Sequence, residues 1–215
     1  MTVHIELGSE EQATAMHPEI KEVYQVLCQQ TAWLHVQWMT FRTQYVGDDG
    51  TENTELFNWA APSFFGMLQD IQLDHVVLGI ARLFDRDRRT VSFYELQRRV
   101  ERHAQHNLFV TFEKTLCEAA SKAQGLIEER DSKIAHLSVE QLSAGSLARQ
   151  IAIADIDKAL GAMECLLNIL STHYNGGPIE FHNTIPGPGD VESLVNLLHK
   201  WKQREELERP RRSTT

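Results

Sequence analysis

The segment Glu129-Arg130-Asp131-Ser132-Lys133-Ile134-Ala135-His136-Leu137 holds the side chains of this chain best suited to work on a phosphodiester. A guanidinium such as that of Arg130 grips two non-bridging phosphate oxygens at once. An imidazole such as that of His136 titrates near neutrality, so it takes or gives a proton. RNA carries its own nucleophile, the 2′-hydroxyl. Cleavage there needs charge stabilisation and proton transfer but no metal. The spacing by itself is weakly specific, because Arg98 with His103 and Arg99 with His106 are similarly placed. Arg130 also fits an ordinary role as a helix-end ion-pair partner of Asp131 or Glu128, and His136 fits one as a donor to helix C-terminal carbonyls.

Other chemistries find no support in the residue pattern. Glu-x-x-His pairs of the di-iron bundles do not occur. His103 and His106 lie one helical turn apart, with no second pair of ligands to complete a tetrahedral site. There is no Walker loop, no dinucleotide fingerprint and no serine-hydrolase elbow. In the Gly187-Pro188-Gly189 loop the proline removes a backbone donor that a phosphate would need. The expectation is therefore a site with no metal and no cofactor.

The elements that must position Arg130 and His136 are helical almost throughout. Ile20, Val23, Tyr24, Leu27, Cys28, Thr31, Leu34, His35 and Trp38 recur at three-and-four spacing after His17-Pro18, which predicts a helix to about Tyr45. A stop follows at the Gly47-Asp48-Asp49-Gly50 turn. A second helix starts near Asn53, is interrupted or kinked around Pro62, and continues through Phe65, Leu68, Ile71, Val76, Ile80 and Leu83 as an apolar, central element. Ser92 with Glu95 forms a capping box for a third helix. A fourth spans about Leu108 to Ala135, followed by a short helical turn around Val139 to Leu142. Asp155 or Ser146 caps the next long helix, whose stripe is Ile156, Ala159, Leu160, Met163, Leu166, Leu167 and Leu170; it ends at Asn175-Gly176-Gly177. Pro178 to Gly189 reads as a loop with a short extended piece at Ile179 to Phe181, and Asp190 caps a last helix. The predicted fold is all-α, an antiparallel bundle of five to six helices.

Bulk properties narrow the class further. The formal charge of −9 works against a general nucleic-acid binder, since non-specific binding depends on cations neutralising phosphates. Arg82, Arg86, Arg88, Arg89, Arg98, Arg99 and Arg102 crowd one span, but Asp85, Asp87, Glu95 and Glu101 lie among them, as on a solvated face laced by ion pairs. Trp33, Trp38 and Met39 read as core or dimer interface rather than as a base-stacking platform. The three cysteines, Cys28, Cys117 and Cys165, each sit in an apolar helical pattern and are expected to be buried and reduced. MTVHIELGSEEQ lacks the features of a signal peptide, and no apolar run nears the ~20 residues of a membrane span. These features point to a cytoplasmic protein with no membrane partner.

Arg130-Asp131-Ser132-Lys133-Ile134-Ala135-His136 resembles the Arg-polar-x-x-x-Ala-His element of the HEPN superfamily of helical RNases and their relatives. Upstream, Leu73-Asp74-His75-Val76-Val77-Leu78-Gly79-Ile80-Ala81-Arg82-Leu83-Phe84-Asp85 resembles the second signature of its abortive-infection AbiU-like branch. Val91-Ser92-Phe93-Tyr94-Glu95-Leu96 is similar to the Ser-Leu-x-x-Leu stretch of that branch. The resemblance covers roughly residues 18 to 175. It implies a HEPN-like bundle over 17–176, preceded by an N-terminal arm (1–16) and followed by a loop and C-terminal helix (177–208) and a basic tail (209–215). It also implies a homodimer whose two Arg/His motifs face one cleft, metal-independent cleavage of RNA to a cyclic phosphate, and a place in a toxin or phage-defence system with a protein partner such as an antitoxin. Carried across, Arg130 holds the scissile phosphate, His136 is the acid or base, Asp131 orients one of them and Lys133 adds positive charge. Asp74, Arg82 and Asp85 lie on the partner helix, where a buried Asp–Arg pair would equally serve packing. Asp131 is acidic where asparagine or histidine is common, so it is able to pair with Arg130 and weaken its hold on phosphate. Many HEPN domains do not catalyse, so the alternative is a non-catalytic helical interaction module.

Overall fold

A computed structural model describes residues 16–134, 151–181 and 190–208. Seven α-helices and one π-helical turn account for nearly all of them, and no strand occurs among the described residues. The helices are α1 (Pro18–Tyr45), α2 (Gly47–Ala60), α3 (Pro62–Leu83), α4 (Phe93–His103), α5 (His106–Glu129), α6 (Ile153–Asn175) and α7 (Val191–Glu208); the π turn is Arg130–Ile134. The all-α prediction holds. The first helix stops at Tyr45 as predicted, but the Gly47-Asp48-Asp49-Gly50 segment is helical rather than a turn: Gly47 adopts φ +80° and the acids after it form the first turn of α2. Carboxylates there face the positive end of the helix dipole, which favours the helix. Ala61 separates α2 from α3, so the interruption expected at Pro62 divides two helices.

Capping residues set most other boundaries. Ser92 Oγ accepts from the Glu95 N–H at 3.4 Å, and Asp190 Oδ1 accepts from the Ser193 N–H at 3.1 Å. Gly176, at φ +77°, ends α6 in the left-handed conformation. Helix α6 starts instead behind Ala152, whose side chain makes no cap, so Asp155 is a first-turn residue. Ser146, Val139 to Leu142 and the basic tail from Arg209 lie outside the described residues. Ile179 is not part of a strand: its N–H donates to Asn168 Oδ1 at 2.7 Å and its carbonyl accepts from Asn168 Nδ2 at 3.0 Å. One amide side chain thus supplies the pairing that an extended segment would have needed.

The chain divides into two compact units, one of Met1–His35 with Asp74–Thr184 and one of Val36–Leu73 with Ile185–Thr215. The first contains the packed pair α5 and α6, with α4 against α5. Phe112, Leu116, Ala119, Ala123 and Leu126 of α5 and Ile156, Ala159, Leu160, Met163, Leu166 and Leu167 of α6 are buried. Gly79 of α3 lets its backbone approach the Leu34 side chain, where a Cβ would collide. In the second unit, Phe57 and Phe65 stack at 4.3 Å within a small cluster completed by Leu56 and Leu198. Asn53 Nδ2 donates to the Thr43 carbonyl at 2.8 Å, tying α2 to α1.

The cysteines correct the sequence expectation. Cys28 is buried, whereas Cys117 and Cys165 are exposed on the flanks of the α5 and α6 apolar stripes. Burial pushes the Cys28 thiol up to about 12, against the opposing effect of a hydrogen bond with Tyr24. A thiol reagent at pH 8 is expected to label two cysteines per native chain and three after unfolding, counted by mass spectrometry. Labelling of all three in the native protein would contradict this packing.

Candidate phosphate site at the end of helix α5

Helix α5 carries its last turn inward with Leu126 and Glu129 buried, and Arg130 emerges where the α-helix gives way to the π turn. The Arg130 N–H is shared between the carbonyls of Ile127 and Leu126. Ser132 Oγ donates to the Glu128 carbonyl at 2.7 Å, capturing an acceptor of the final α turn. Such widened turns recur at functional positions because they re-aim side chains that a regular helix would place elsewhere.

The Arg130 guanidinium is held by its neighbour. Nε donates to Asp131 Oδ1 at 2.7 Å, and a terminal nitrogen lies 2.6 Å from the same oxygen. Asp131, rather than Glu128, is therefore the ion-pair partner; Glu128 accepts from Gln124. The Asp131 side chain is 57% exposed and that of Arg130 24%. A pair so open to water is worth about 0–1 kcal/mol, little enough for a phosphate to displace it. His136 and its surroundings lie outside the described residues, as does the Lys133 side chain.

The residues of the upstream signature have separate local roles. Arg82 is exposed and donates to Gln30 of α1 at 2.5 Å. Asp85 accepts from the Asp87 N–H at 2.9 Å, closing the loop after α3. A buried Asp–Arg pair involving Arg82 is thus not what this segment builds. Asp74 is half-buried on α3.

The arginine-rich span is an ion-paired face. Glu95 receives Arg98 at 2.8 Å and Arg99 at 2.7 Å, while Arg89 pairs with Asp87 at 2.6 Å. Burial raises the Glu95 carboxyl, but the two arginines outweigh it and the net shift is downward. Arg86 sits 5.0 Å over the Tyr94 ring. Glu19 at the start of α1 receives Arg99, Arg102 and His103, and the His103 hydrogen bond leads in lowering its carboxyl pKa. His103 is in addition stacked on His17 at 3.8 Å.

One feature has no counterpart in the sequence pattern. An open groove of about 1130 Å³ lies along α5 and α6, bordered by Asn107, Thr111, Cys165, Asn168, Thr172 and His173. Its polar residues come from two helices and share no linear spacing, so no motif could reveal it.

The all-helical architecture and the Arg-Asp-x-x-x-Ala-His element fit the HEPN superfamily, and the family comparison shows that the chain belongs to it. More narrowly, the HEPN AbiU2 family model matches residues 18–207, and the chain belongs to that family. The match runs through α7, beyond the roughly 18–175 expected from the motifs. No curated relative and no solved structure matches the chain. No helix among the described residues is long and apolar enough to cross a membrane.

Proposed function

We propose that this protein is a metal-independent endoribonuclease of an abortive-infection or toxin–antitoxin system, acting as a homodimer with Arg130 and His136 at each site. The observation that carries the proposal is Arg130, emerging partly exposed on a π turn within the signature element of a HEPN AbiU2 chain. In this mechanism the base removes the 2′-hydroxyl proton as the 2′-oxygen bonds to phosphorus. The bond from phosphorus to the 5′-oxygen breaks, and the acid returns a proton to that oxygen. A cyclic 2′,3′-phosphate and a 5′-hydroxyl result. Arg130 binds the non-bridging oxygens, where charge builds in the transition state. Two copies supply two imidazoles, so that one acts as base while the other acts as acid.

The test is cleavage of RNA by the purified chain in EDTA, with end-group analysis. Cyclic phosphate ends are expected, together with complete resistance of an otherwise identical 2′-deoxy substrate. Cleavage of the deoxy substrate, or none of the RNA, would refute the proposal. Asp131→Asn provides a separate check. Removing the carboxylate that occupies the guanidinium is expected to tighten RNA binding by up to about fivefold, the factor equivalent to ~1 kcal/mol. Weaker binding would show that Arg130 does not hold phosphate.

The same Arg130–Asp131 pair favours a second reading, a non-catalytic HEPN module that engages a protein partner. In that case RNA stays intact and Arg130→Ala changes stability by no more than an exposed ion pair does.

A further inference from the structure

In the unit of Val36–Leu73 with Ile185–Thr215, α2 and α7 pack on each other, and the Trp59 and Trp201 rings meet edge to face at 5.5 Å. Each helix keeps one row of side chains in solvent. On α7, Leu194, Leu197 and Trp201 follow at intervals of three and four and are 37%, 64% and 57% exposed, although Leu198 beside them is buried. On α2, Asp48, Glu52, Glu55 and Trp59 follow at intervals of four, three and four; the three carboxylates are exposed and Trp59 is half-buried. The tryptophan contact joins the two rows. Single exposed leucines need no explanation, but a row ending in an exposed tryptophan does. Anchors three, four and seven residues apart are the pattern by which one amphipathic helix is recognised by an apolar surface, and a row of this size suits a single helix. The acidic row is about 16 Å long at the rise of an α-helix, so it lies alongside roughly three turns of such a partner.

Charge indicates what covers this face. None of Asp48, Glu52 and Glu55 forms an ion pair with a described residue. Helix α2 contains no Lys or Arg, and the α7 row continues with one cation, Arg204, before it reaches Glu208. The described residues of the whole unit hold ten carboxylates against four Lys and Arg, so whatever covers the face must bring positive charge. A nucleic acid would meet like charge here. A second copy would bring the same excess of carboxylates. We propose that this face docks a partner protein through a basic amphipathic helix, whose apolar side chains cover Leu194, Leu197 and Trp201 and whose Lys and Arg meet Asp48, Glu52 and Glu55. The tryptophan is the anchor of such a contact, and the carboxylates beside it select the partner and speed its association. The face belongs to a different unit from Arg130, and the inference holds whether or not the chain cleaves RNA.

The test uses the full chain and a fluorescein-labelled amphipathic peptide of leucine, alanine and lysine, followed by fluorescence anisotropy. Micromolar binding is expected, with none for the same peptide carrying glutamate in place of lysine or for one with its leucines scrambled. Leu197→Asp with Trp201→Glu and, separately, Glu52→Lys with Glu55→Lys are each expected to weaken binding about tenfold or more, with unchanged far-ultraviolet circular dichroism. The second pair is also expected to gain binding of the glutamate peptide. Glu113→Lys with Glu118→Lys makes the same charge change on exposed positions of α5 and is expected to leave binding as it was. That control separates docking at this face from attraction to a chain of net charge −9. No binding of the lysine peptide, or an equal loss from the α5 pair, would overturn the proposal. So would a fall in the sedimentation mass of the peptide-free chain on Leu197→Asp with Trp201→Glu, which would assign the face to a second copy.

Discussion

His136→Ala is expected to slow RNA cleavage by about 10²–10⁴-fold while leaving helix content and thermal midpoint unchanged. That range is what a positioned general acid or base contributes, and its loss cannot be offset by water at the same geometry. Arg130→Ala should fall by a comparable factor of about 10²–10³, the usual cost of removing one donor from a developing oxyanion. Arg130→Lys should not rescue it, since an ammonium cannot reproduce the two-pronged contact of a guanidinium. Single-turnover rates on one RNA, measured in EDTA for all three variants, settle the point. Undiminished cleavage by His136→Ala would remove the imidazole from the mechanism and leave the binding-module reading in its place.

Phe112→Ala is the substitution expected to cost most in stability, about 3–5 kcal/mol. Phe112 is fully buried on α5, which packs along α6 and also against α4. Removing the ring deletes its transfer free energy and leaves a void that rigid helices close only in part. Urea unfolding followed by circular dichroism should show the midpoint move without a change in slope. Phe64→Ala is the matched control: its ring is 54% exposed, so a shift within about 0.5 kcal/mol is expected in the monomeric chain. Equal effects from the two would mean that α5 and α6 do not form the interior described here.

The sequence was sufficient wherever the deciding interaction is local. Ser92 and Asp190 announce their helices because a cap bonds to the backbone within three residues. The stop after Asn175 is equally local, since glycine alone enters the left-handed region without strain. The buried stripes of α5 and α6 were legible because helical periodicity repeats the same face toward one neighbour. Arg130 and His136 were recognisable together for the same reason: they are close along the chain, and the motif is a short linear one.

Tertiary structure decided what local patterns leave open. An acidic Gly47–Gly50 segment has the composition of a turn, yet it is helical, in a helix tied down by Leu56 and Phe57 in a core cluster with Phe65 and Leu198 and by Asn53 bonding the Thr43 carbonyl. Cys117 and Cys165 each adjoin a buried leucine in sequence (Leu116 and Leu166) but sit just off the packed face, and the helix–helix contact fixes where that face ends. The arginine span finds a partner in Glu19, some eighty residues away for Arg99, so its charge balance could not be read from the span alone. The apolar residues of α3 and α7 divide in the same way. Phe65 and Leu198 are buried by their neighbours, while Phe64, Met67, Leu197 and Trp201 stay more than half exposed, Phe64 and Trp201 despite edge contacts with Phe65 and Trp59. Hydrophobicity is a property of the side chain, but burial belongs to the surface packed against it, and a single sequence specifies the first directly and the second only through the fold.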